Sequence, residues 1–180
     1  MTQEPRRQPQ SPNPSAPAMT DMMPRPTREH ELLKLYAGTW DARTKSRFMP
    51  DQPFAESTGS EVATLGFGGF WLTGEYRGTM HNCPFLGRST VGFDPSRKKF
   101  VGTWIDSMSA GMGTSEGSFD DKKKTFTYHM TMNDPAGNPM RMRITDEFPS
   151  ADTKVFSMFM TGPDGKEFLG MQITYTRRKA

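Results

Sequence analysis

Met130 and Met132, Met140 and Met142, Met158 and Met160, and finally Met171 fall on alternate positions of the last four apolar segments of the chain. If those segments are neighbouring strands, a two-residue period gives all four one face of thioethers. Methionine is unbranched and polarizable, so such a face reshapes itself around different apolar partners. The chemistry this implies is recognition of a hydrophobic or amphipathic small molecule inside a cavity. The competing reading is that methionine merely fills an irregular core.

Upstream, Trp104, Asp106 and Met108 share one side of their segment with Gly102. An inward Asp106 would need a partner or would take up a proton more readily than usual. Thr114, Glu116 and Ser118 form a polar side on the next segment. Asp106 with Glu116 is therefore a candidate ligand-orienting or acid–base pair, against the alternative of surface carboxylates or a satisfied network. Tyr128 adds an apolar ring with a hydroxyl. The candidate ligand-binding set is Trp104, Asp106, Met108, Glu116, Tyr128, Met130, Met142, Met158 and Met171. No catalytic residue is assigned. An enzyme of hydrolase or isomerase type using Asp106, Glu116 and Tyr128 is the second reading, and a filled structural barrel whose outer Thr and Arg face meets a partner is the third.

His30, His81 and His129 are not spaced as a metal cluster: His30 belongs to a helix, His81 to a turn, and His129 to the Thr-rich side of its strand. The sequence implies no metal and no cofactor. Haem held through a single histidine, His81 at a barrel rim, is the alternative. Cys83 is the one cysteine, so no intramolecular disulfide forms. It has no recognisable histidine-plus-carboxylate setting.

The elements that must position these groups are short alternating runs separated by Gly, Pro and Asp turns. A helix capped by Thr27 carries Leu32, Leu33, Leu35 and Tyr36 on its apolar side and stops at Gly38. Strands follow over Gly38 to Phe48, Ala55 to Leu65, Phe70 to Thr79 and Phe85 to Phe93. A central hairpin over 100–119, hinged at Ala110-Gly111, comes next. Thr125 to Met132, Met140 to Thr145, Phe156 to Met160 and Leu169 to Tyr175 complete the series. About ten antiparallel strands with no helix between them should close, because open edges invite aggregation. The expected fold is all-β, an antiparallel up-and-down barrel over 27–180, behind a disordered Pro-rich tail over 1–26.

Gly38-Thr39-Trp40 after a short helix resembles the start of lipocalin and fatty-acid-binding barrels. That likeness implies a tryptophan closing the barrel bottom beneath a basic residue, here Arg177, in a cation–π contact. Over about 28–178, the runs Gly68-Gly69-Phe70-Trp71-Leu72, Glu75 to Met80, Pro84 to Gly87, Thr103 to Met108, Thr114 to Gly117 and Thr161 to Glu167 resemble a bacterial domain-of-unknown-function family numbered 1579. This likeness implies a calycin-like barrel and transfers no activity.

The net charge of +3 is carried mainly by arginines and lysine at the two ends. Without a basic stripe interleaved with aromatics, nucleic acid is not an expected partner. No apolar stretch approaches a membrane span. After Arg6-Arg7 there is no apolar leader segment, so the expectation is a cytoplasmic monomer or homodimer.

Overall fold

Alternation of apolar and polar side chains at period two forces each run to bury one face, and the computed structural model realises this as a closed wall. It describes residues 23–80, 82–134 and 136–179. The tail expected to be disordered falls largely on 1–22, outside the described residues, as does His81, the alternative haem ligand.

The chain begins with α1 (Arg28–Leu32) and a tighter turn over Leu33–Leu35. The strands are β1 (Gly38–Ser46), β2 (Ala55–Gly66), β3 (Trp71–Met80), β4 (Cys83–Asp94), β5 (Lys99–Asp106), β6 (Gly113–Asp120), β7 (Thr125–Asn133), β8 (Pro139–Ser150), β9 (Thr153–Thr161) and β10 (Glu167–Arg177). Each pairs antiparallel with the next, and β1 pairs with β10, so no sheet edge is left open. The all-β barrel is thus as expected. Gly38, at φ 135°, lets the chain turn from the helix into β1 where a side chain would meet the Arg177 guanidinium.

One end is plugged. Leu33 and Tyr36 from the helical segment sink into a core with Ala63, Leu72, Phe100, Phe126, Tyr128 and Ile144. Phe126 lies at its centre, its ring 5.0 Å from Phe100 and 4.5 Å from Phe119. His30 is buried here too, its ring edge-on to Phe70 and Phe93, and its Nδ1 accepts the Thr27 backbone N–H at 3.0 Å. Beside this plug, Trp40, Ala42, Tyr76, Ile173 and Tyr175 form a second cluster. The Arg177 guanidinium lies 4.0 Å from the Trp40 ring, as the GTW resemblance implies, and donates to the backbone carbonyls of Ala37 and Leu35.

Most strand ends shift by one or two residues from the sequence reading, and two regions differ more. The central hairpin has a loop over 107–112 rather than a tight hinge at 110–111, and its register runs only from Phe100↔Gly117 to Trp104↔Gly113. Strands β8 and β9 are longer than expected, meeting across a turn of just Ala151 and Asp152.

Candidate functional site

Strand register decides which side chains enter the lumen. Met130 faces Met142, Met132 faces Met140, Ile144 faces Met158, Met158 faces Met171, and Met160 faces Phe168. All share the inward parity of the buried Tyr128, Ile144 and Ile173. The expected thioether face therefore exists on one arc of the wall. Met142 is buried, while Met130, Met132, Met140, Met158, Met160 and Met171 keep partial exposure although they point inward. On the opposite arc several inward positions are small, Gly59, Gly78, Gly87, Ser89, Gly102, Gly113 and Ser115, among the larger Leu72, Tyr76, Phe85 and Trp104. A side chain at Gly87 would collide with the Trp104 ring, so the absent Cβ lets the indole lie against the wall. One arc of the wall is thus lined by flexible thioethers, while on the other glycines and serines alternate with the inward rings of Tyr76, Phe85 and Trp104, and the helical segment closes one end.

Trp104 and Asp106 do face inward, at the end of β5 away from the helix. The Trp104 Nε1–H donates to Asp106 Oδ2 at 2.9 Å, and Asp106 Oδ1 accepts the Met108 backbone N–H at 2.8 Å. Phe85 stacks on Trp104 with centroids 6.4 Å apart. Asp106 therefore fixes the indole and the turn that follows.

Three expectations are corrected. Met108 is in the turn after β5, half-exposed, because the strand ends at Asp106. Glu116 faces outward: its neighbours across the sheet are Val101 and His129, and its carboxylate pairs with Arg97. Asp106 and Glu116 stand on opposite faces of the wall, so the paired-carboxylate arrangement is not formed. Tyr128 points inward but belongs to the plug, its ring stacked 6.0 Å from Phe126 and its hydroxyl 3.5 Å from that of Tyr36.

At the inner end of the lumen the structure gathers charges the sequence reading missed. Lys154 is 3% exposed. Its Nζ donates to both Glu61 oxygens, at 3.1 and 3.0 Å, and lies 3.9 Å from the Tyr175 ring centroid. Asp146, also buried, accepts the Tyr36 hydroxyl at 3.0 Å. Burial, opposed by nearby Lys154 and the Tyr36 hydrogen bond, pushes the Asp146 carboxyl up to about 6. Burial likewise raises the Tyr36 and Tyr175 hydroxyls, with negative neighbours adding to it. The Thr44 and Tyr76 hydroxyls, 3.2 Å apart, complete the polar floor.

A carboxyl that ionises less readily in the fold stabilises it in its protonated form. That contribution is full below the unfolded value near 4 and is lost as pH rises through about 6. Relative to Asp146→Asn, whose side-chain carbonyl still accepts from Tyr36, the native chain should lose about 2–3 kcal/mol between pH 4 and 8. Urea unfolding of both proteins across that range checks it. Parallel curves would show that Asp146 titrates as in an unfolded chain.

The described helices include none long and apolar enough to cross a membrane. Among solved structures, Rv2717c from M. tuberculosis superposes with a TM-score of 0.60 at 11% identity, covering 85% of this chain and 99% of that one. At that identity the likeness is one of fold. A redesigned β-barrel gives a TM-score of 0.43 at 16% identity, covering 87% of this chain and 100% of its own. No curated protein matches the sequence. The profile described as "Protein of unknown function (DUF1579)" matches residues 25–177, and the chain belongs to that family.

Proposed function

We propose that the barrel binds an amphipathic small molecule, which enters at the end opposite the helix and lays its apolar part among the methionines. The observation that carries this reading is the partial exposure of inward-facing Met130, Met132, Met140, Met158, Met160 and Met171 inside a closed wall. A core that only filled space would cover them, as it covers Leu33, Trp40 and Phe126 at the plugged end. The space at Gly113 is filled by the Met130 side chain, an adaptable group that a guest can displace, and pockets of this kind, mostly apolar with a few fixed polar groups, are the common form of small-molecule site. Trp104, Phe85 and Met171 form the transition between the mouth and the polar floor.

The test is titration with N-phenylnaphthylamine, a neutral apolar fluorophore whose emission rises out of water. Native protein should bind it saturably. Ser115→Trp, which places an indole between Gly102 and Met130, should weaken binding by roughly tenfold or more, a loss of about 1.4 kcal/mol. Unsaturable emission, or equal affinity in the two proteins, would overturn the proposal.

A further inference from the structure

A buried ion pair beside a second carboxylate is a costly thing to place in a barrel that could have been filled with leucine, and an apolar lumen alone does not explain it. The arrangement is asymmetric. The Lys154 ammonium is covered by both Glu61 oxygens and by the rings of Tyr175, Tyr36 at 5.2 Å and Trp40 at 5.5 Å. It has no face left for an anion. The Glu61 side chain keeps 13% of its surface accessible, and because it points inward that surface meets the lumen. Its oxygens accept from Lys154 and from the Tyr175 hydroxyl, and a carboxylate has lone pairs beyond those three. Gly74 and Ser89 border it on the small-residue arc: a Cβ at Gly74 would lie 3.6 Å from Glu61 Oε1 and 2.6 Å from Ser89 Oγ.

We propose that the inner end of the lumen is a head-group site for a hydrogen-bond donor, a protonated amine or a hydroxyl, accepted by Glu61 with the Thr44 and Tyr76 hydroxyls, and that it excludes carboxylates. This rests on the lumen-binding reading above and names the class of ligand it takes. An anionic head would meet Glu61 and, behind it, Asp146, with the nearest ammonium already neutralised. Arg177 offers no rescue, since its guanidinium stacks on Trp40 and is bound to the carbonyls of Leu35, Ala37 and Ala151. A donor head instead finds an acceptor in a site of low dielectric, where a charge-assisted hydrogen bond is strong.

Dodecylamine, dodecanol and dodecanoate share one tail, so competition of each against bound N-phenylnaphthylamine, below their aggregation limits at pH 7.5, isolates the head. The amine and the alcohol should displace the probe at roughly tenfold lower concentration than the carboxylate. Because Glu61→Gln alone strands Lys154, the double variant Glu61→Gln/Lys154→Met serves as control. It should bind the probe as before while losing the preference for the amine. Dodecanoate displacing as well as dodecylamine from native protein, or an unchanged preference in the double variant, would overturn this inference while leaving the lumen reading intact. A probe that never binds native protein defeats the lumen reading itself.

Discussion

Lys154→Met should lower stability by about 3–5 kcal/mol. The substitution conserves length and apolar reach, so little packing is lost. What remains is the Glu61 carboxylate, pointing inward beside Tyr175 with no counter-charge, and Asp146 nearby without the ammonium that helps it ionise. Breaking a buried pair from one side costs far more than removing both members. The double variant Glu61→Gln/Lys154→Met should therefore recover most of the loss. Guanidinium unfolding of the three proteins measures both steps. A single variant within about 1 kcal/mol of native, the scale of an exposed pair, would mean the two side chains are as hydrated as surface groups.

Trp40→Ala is expected to cost a similar amount, about 3–5 kcal/mol. The indole is fully buried, its Nε1–H donates to the Tyr36 carbonyl at 2.8 Å, and Arg177 lies on its face. Removing it opens a void and takes away the surface that holds the Arg177 guanidinium against the helix carbonyls. The plug and the β1–β10 seam loosen together. Thermal unfolding should fall by roughly 10 °C or more, given 2–4 °C per kcal/mol for a domain of this size. Trp40→Phe should recover the packing part and leave the lost hydrogen bond, about 1 kcal/mol. A Trp40→Ala protein melting within a few degrees of native would show that Arg177 and the helix are held by other contacts.

Period two made the strands and their order readable, and it put the methionines of β7 and β8 on one face because there each thioether row alternates with Thr or Arg within one uninterrupted run. Glu116 was lost at the loop over 107–112. A two-residue count continues only while the backbone stays extended, and beyond a loop the choice between faces must be read afresh. In β6 the inward face is Gly113, Ser115, Gly117 and Phe119, nearly as polar as the outward face, so composition did not distinguish them. Asp146 and Lys154 were hidden differently. Both occupy strand ends that Pro149, Ser150 and Asp152 made resemble a long turn. The alternation Met140, Met142, Ile144, Asp146, Phe148 continues through them, and following it would have put Asp146 inside. Glu61 shares the parity of Ala63 and Leu65 in the same way. Its pairing with Lys154 spans 93 positions and leaves no local trace.

The shortest register in the cylinder lies between β5 and β6, from Phe100 to Trp104, directly beneath the loop over 107–112. A hydrogen-bonded tube splits first where its zipper has fewest teeth, and amide exchange should be quickest there.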